Sequence, residues 1–91
     1  MADVIIVLQV RLESPEVDPN SVIKKASEIL TTGGAKVHES KVEPLAFGLK
    51  QVLITFSRDE NKGSVDDLEE EISSLDEVMS TEVIGISRSL N

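Results

Sequence analysis

The chain has 91 residues, 40% of them hydrophobic, with Phe47 and Phe56 as its two aromatics, the size and make-up of one folded domain rather than of a disordered segment. Seventeen acidic residues against nine basic ones give a net charge of −8, a balance that repels phosphate backbones and anionic lipid, so neither direct nucleic-acid contact nor membrane binding is expected. The absence of Cys excludes disulfides, thiolate nucleophiles and Cys-held metals, and the longest apolar stretch, Val4 to Leu8, is too short for a membrane span or a signal-peptide core; residues 1–91 therefore read as a single cytoplasmic domain.

The first element is a strand from Asp3 to Leu12. Val4, Ile6, Leu8, Val10 and Leu12 fall on one face, and Ile5, Val7, Gln9 and Arg11 on the other. Its apolar start suits a central strand partly covered on both sides. After the loop Glu13–Val17, Asp18 is placed to cap a helix and Pro19 to fill its first turn, where a missing N–H costs nothing. Val22, Ala26, Ile29 and Leu30 form a stripe at helical spacing, and Gly33-Gly34 ends it.

Ala35 to Leu45 reads as a polar strand. Pro44 cannot donate to a ladder, so this strand is expected at a sheet edge. Ala46-Phe47-Gly48 is a turn, and Leu49 to Ser57 is a strand whose Val52, Ile54 and Phe56 point inward. Arg58 to Gly63 reads as a charged loop. Ser64 caps a second helix, with Asp67 three residues on; Val65, Leu68, Ile72 and Leu75 line its apolar face, and Glu77 to Leu90 is the last strand. The order βαββαβ with right-handed crossovers gives an α+β fold: a ferredoxin-like split βαβ plait, with a four-stranded antiparallel sheet and two helices on one face.

Chemistry-bearing patterns are scarce. The sole histidine, His38, lies on the polar strand without a second His, a Cys or a convergent carboxylate pair, and reads as a surface residue. Asp66, Glu69 and Glu70 occupy neighbouring turns of the second helix, either as a solvated face or as a cation site. No glycine-rich strand-to-helix loop cradles a phosphate, and no Ser-His-Asp spacing is present. Neither enzymatic activity nor a cofactor is expected. The central strands lack the paired aromatics on which RNA-binding plaits stack bases. Interaction remains: Phe47 sits at a turn, Lys50 follows on a strand face read as opposite to the apolar one, and Arg88 lies near the end, after a strand. Phe47 is an interface anchor, or else it folds back onto the sheet edge.

These same segments carry a family likeness. Glu43-Pro44-Leu45-Ala46-Phe47-Gly48-Leu49-Lys50 is similar to the Pro-(Ile/Val)-(Gly/Ala)-(Phe/Tyr)-Gly-(Ile/Leu)-Lys signature of the elongation factor 1-beta exchange domains. The loop Glu13–Asp18 and the acidic helix start Ser64–Leu68 resemble that family in the same order, the tail Val78-Met79-Ser80-Thr81-Glu82-Val83 resembles its eukaryotic exchange domain, and the chain as a whole is most similar to its archaeal branch. The resemblance implies a guanine-nucleotide exchange factor acting on elongation factor 1-alpha, the GTPase that delivers aminoacyl-tRNA. It implies a monomer that meets its partner through Pro44, Phe47, Gly48, Lys50 and Arg88. Arg88 matches the basic residue that in the family reaches the magnesium and phosphate end of the GTPase site; eukaryotic members carry Lys there, and it is penultimate. A small-molecule regulatory module on the same plait is the competing reading, and it expects a tight homodimer and a ligand pocket.

Overall fold

The structure, a computed structural model, describes residues 2–59 and 66–90, the side chains of 2 and 88–90 excepted. Its elements are β1 (Ala2–Leu12), α1 (Pro19–Thr32), β2 (Lys36–Pro44), β3 (Lys50–Asp59), α2 (Asp66–Ser73) and β4 (Val78–Leu90). The four strands form one sheet in the order β2-β3-β1-β4, every neighbouring pair antiparallel. Both central strands are those with the strictest alternation, because a strand flanked on both sides needs one face that is apolar without interruption.

That face is the core. Ile6, Leu8, Val10 and Leu12 of β1 and Val52, Ile54 and Phe56 of β3 are buried against Val22, Ala26 and Leu30 of α1 and Leu68 and Ile72 of α2. Among the described residues no helix lies over the reverse face: Ile5, Val7, Gln9, Leu53 and Thr55 stay half-buried between their neighbours. The ferredoxin-like plait expected from the element order is therefore the fold observed.

Local chemistry sets the helix ends. The Asp18 side chain accepts a hydrogen bond from the Asn20 N–H at 3.0 Å, with Pro19 in the first turn. At the other end Gly33 closes α1 with φ −80°, while Gly34, at φ 85°, takes the left-handed conformation that turns the chain toward β2. Gly33 has a second reason to lack a side chain: an added Cβ would lie 2.3 Å from Leu68 Cδ2, so the two helices approach there without room for a methyl group. Lys25 of α1 forms an ion pair with Glu77, and the Glu13 N–H donates to the Glu77 carbonyl at 2.8 Å, tying the segment before β4 to the first helix and to the end of β1. The hydrogen bond from Lys25, then one from its own backbone, holds the Glu77 carboxyl below the usual carboxylate range.

Three departures from the sequence reading have physical causes. β3 runs on to Asp59, so Arg58 is strand rather than loop; it is only 9% exposed, and its Nη1 lies 3.4 Å from Asp67 Oδ1 on α2. Position 88 lies within β4, as the strand read over Glu77 to Leu90 implied, and not after a strand. Lys50 shares the even-numbered face of β3 with Val52, Ile54 and Phe56, because strand side chains alternate with a period of two; it stands at the sheet end, half-buried and paired with Pro44. The cap assigned to Ser64, the apolar position Val65 and the loop at 60–63 lie outside the described residues.

The two sheet edges differ. β2 carries Lys36, His38, Glu39, Lys41, Glu43 and Pro44, with His38 bulged out between Val37 and Glu39. Charges, proline and a bulge are the features that discourage edge pairing. β4 has only Glu82 and Arg88 as charged residues and is broken by two bulges, which leave Met79 and Ile84 unpaired with β1.

Candidate functional site

The β2–β3 hairpin presents the first group of candidate residues. Pro44 faces Lys50 as the last cross-strand pair, and between them Phe47 and Gly48 both have positive φ, 62° and 76°. Two successive residues of this kind make the tight turn whose hand matches a twisted hairpin, closed by the Leu49 N–H donating to the Ala46 carbonyl at 3.3 Å. Gly48 suits its place. Phe47 does not on local grounds, since a left-handed L-residue costs about 1–2 kcal/mol and this position favours Asn, Asp or Gly.

Its ring gains nothing from the fold in return. Phe47 is 95% exposed, so it does not fold back onto the sheet edge. A solvent-facing aromatic in a left-handed turn position is explained neither by packing nor by local backbone preference. Neighbours brace the tip: a Cβ on Gly48 would lie 3.7 Å from Pro15 Cβ, so the β1–α1 loop stands beside the turn. Behind it, Gln51 Nε2 donates to Glu43 Oε1 at 2.8 Å, stapling the two strands on the open face.

Arg88 is elsewhere. Its Cα pairs with Val4, which pairs in turn with Arg58 across the sheet. The hairpin end is marked by Arg11 opposite Gln51. Val4 and Arg11 are seven residues apart along β1, so the two groups are separated by about 23 Å at roughly 3.3 Å per residue. The molecule's extents of 43 × 20 × 17 Å agree with sites at opposite ends of a long body. Pro44, Phe47, Gly48 and Lys50 thus form one cluster, and position 88 a second.

The other candidates resolve simply. His38 is exposed, as expected, and its Nε2 lies 2.7 Å from Oγ of the buried Ser57. Asp66, Glu69 and Glu70 line a shallow groove with Ser73 and Thr81, where the Thr81 hydroxyl donates to Glu69 Oε1 at 3.3 Å. Among the described residues no three His, Cys, Asp or Glu groups converge in a way that could hold a metal ion, and no helix is long and apolar enough to cross a membrane.

One feature escaped the sequence reading: exposed aliphatics on β4, with Ile86 at 69% and Ile84 at 49% exposure. The signal was the broken rhythm of that strand. Val78, Val83 and Ile86 fit no single period of two, which is how bulges look in a sequence.

Residues 5–88 match the family described as the EF-1 guanine nucleotide exchange domain. Among curated relatives, elongation factor 1-beta of Methanococcus maripaludis is 38% identical over 87 residues, covering 96% of this chain and 98% of the relative. Elongation factor 1-beta of Metallosphaera sedula is 40% identical over 91 residues, covering 97% of each chain. Solved structures share the fold alone. A de novo designed protein, Foldit4, aligns with a TM-score of 0.63 at 20% identity over 98% of both chains. The ACT domain of the GTP pyrophosphokinase of Chlorobium tepidum aligns with a TM-score of 0.58 at 13% identity, over 90% of this chain and 99% of that one.

Proposed function

Because this chain belongs to the family of EF-1 guanine nucleotide exchange domains, and so is a nucleotide exchange factor of translation elongation, we propose that it acts on the GTPase elongation factor 1-alpha and grips it at two places, the Phe47 turn and position 88 of β4. The observation that carries the assignment of the first contact is the exposed, strained Phe47 inside the Pro44–Lys50 segment, where the family signature and the geometry coincide. The working unit is a monomer in the cytoplasm, and its acidity keeps it from competing for the tRNA that its partner carries.

Exchange needs no covalent step. A factor promotes it by binding the nucleotide-free GTPase more tightly than the GDP-bound form, since only differential affinity moves the equilibrium. The ring at position 47 supplies apolar contact and fixes where the factor sits; Lys50, on the adjoining strand, adds charge. The cation at position 88, at the far end of the sheet, approaches the magnesium and diphosphate end of the partner's site. A second positive charge there is unfavourable beside the metal and weakens the metal's hold on the diphosphate.

Stopped-flow release of a fluorescent GDP analogue from elongation factor 1-alpha tests both parts. The wild-type chain should accelerate release. Arg88→Ala should bring the rate at saturation back toward the uncatalysed value while association persists, and the deficit should shrink as free magnesium is lowered. No acceleration by the wild type would overturn the partner; full activity in Arg88→Ala would overturn the role of position 88 alone.

A further inference from the structure

Strained backbone persists only where its surroundings leave it no easier conformation, and the Phe47–Gly48 turn has few surroundings. Its own bonds run from the Leu45 N–H to the Leu49 carbonyl at 2.7 Å and, longer, from the Leu49 N–H to the Ala46 carbonyl at 3.3 Å. One of its two strands, β2, is a sheet edge. Among the described residues, the atoms that come within 4 Å of a Cβ position on Gly48, its chain neighbours aside, all belong to Pro15: Cβ at 3.7 Å and Cγ at 3.9 Å. Pro15 is itself firmly placed. It takes the second position of a turn that the Val17 N–H closes onto the Ser14 carbonyl at 3.2 Å, where a locked φ is what the turn requires. That turn is anchored on both sides. The Glu13 N–H donates to the Glu77 carbonyl at 2.8 Å, Val17 packs against the core, and Asp18 caps α1. Pro15 is nevertheless exposed and is no member of the core, so its ring adds nothing to the packing of the body.

We infer that Pro15 is a positioning residue for nucleotide exchange: its ring, carried on the anchored β1–α1 loop, holds the Phe47–Gly48 turn in its left-handed form and so fixes where the aromatic stands. This rests on the proposed role of Phe47 as a contact with the GTPase. Pro15 acts through the turn, not by touching the partner. The gain is preorganisation. An aromatic already in place loses less conformational freedom on binding than one on a swaying hairpin, so affinity rises with no added contact. The contact also refers the hairpin to the body of the molecule, because the loop that carries Pro15 is tied to Glu77 at one end and to α1 at the other. A proline that only shaped its own loop would affect stability and leave the turn and the exchange reaction alone.

The test compares Pro15→Gly, Pro15→Ala, Phe47→Ala, the double variant Pro15→Gly/Phe47→Ala, and Pro19→Ala as a control. Backbone amide relaxation is measured on each chain alone, and GDP-analogue release from elongation factor 1-alpha is measured against exchange-factor concentration. In Pro15→Gly the order parameters at Phe47 and Gly48 should fall from about 0.85 to below about 0.6, while those of β1 and α1 hold. The half-saturating concentration should rise about fivefold with the maximal rate unchanged, the pattern of binding lost equally in ground and transition states. Pro15→Ala, which keeps the Cβ nearest the turn, should fall between Pro15→Gly and wild type. Losing any proline also loosens the unfolded chain, so Pro19→Ala should lower the melting temperature comparably, yet leave the turn ordered and half-saturation within about twofold of wild type. Because Pro15 acts through the ring, its substitution should add less than about twofold once Phe47 is already Ala. Unchanged order parameters in Pro15→Gly would overturn the inference. So would unchanged half-saturation in Pro15→Gly beside an impaired Phe47→Ala, or a full additive loss in the double variant, which would make Pro15 a contact in its own right. Normal half-saturation in Phe47→Ala would overturn the reading beneath, and the positioning role with it.

Discussion

Replacing Phe47 should separate binding from stability in opposite directions. The ring is 95% exposed, so Phe47→Ala removes no burial from the folded chain, and its Cβ keeps the left-handed strain; the change in folding free energy should stay within about 0.5 kcal/mol. Phe47→Asn places the residue preferred before Gly48 in such a turn and should recover about 1 kcal/mol of the strain, raising the melting temperature by about 4–8 °C for a chain of this size. On the proposed partner the same side chain should be worth more. Covering a fully available aromatic contributes about 2 kcal/mol, so either variant should weaken association about thirtyfold. Calorimetric titration against nucleotide-free elongation factor 1-alpha, paired with thermal melts, reads both numbers. A melting temperature that falls by more than about 8 °C in Phe47→Ala, or an unchanged dissociation constant, would show that the turn is held by the ring rather than displaying it.

Two further outcomes probe the scaffold. Gly33→Ala should destabilise the chain by about 1–3 kcal/mol, because the new methyl would lie 2.3 Å from Cδ2 of the buried Leu68, whose side chain must then shift within the core, and urea unfolding measures it. Glu77 makes stability depend on pH: its carboxyl titrates below the ordinary range when folded, so its contribution is present above the ordinary carboxylate value near ~4 and fades as pH falls through the depressed one. Lys25→Met should flatten that acid limb and remove its salt sensitivity; an acid limb identical to wild type would show that the ion pair contributes nothing.

The fold was legible where a single segment carries its own instructions. The alternation of Val4 to Leu12 and of Val52 to Phe56 marked the two central strands, and Asp18-Pro19 with the Val22, Ala26 and Leu30 stripe marked α1. Pro44 correctly pointed to an edge. What was not legible depends on two strands at once. A bulge is a mismatch between partners: the broken rhythm of β4 signals one, but which residues are left unpaired, Met79 and Ile84, is fixed only by the register with β1. Arg58 looked like loop because it opens a charged run, yet α2 supplies Asp67 beside it and lets β3 continue. Of the candidate site, only the geometry can be compared with the sequence reading. Phe47 stood out as an aromatic at a turn, but its exposure and handedness, which exclude its folding back onto the sheet edge, exist only in three dimensions.

The length of the sheet has a consequence for how such a factor lets go. On the proposed two-point grip, contacts at the two ends of the sheet act as a bivalent ligand: once either is made, the other meets its target at a high local concentration fixed by their spacing rather than by the amount of protein in solution. Tight capture of the empty GTPase then needs no single strong contact. On that proposal, incoming nucleotide need only dislodge the end at position 88, and the hairpin end, left to its own affinity, releases in turn. Lengthening or kinking β1 between Val4 and Arg11 would break this coupling with every contact residue still in place.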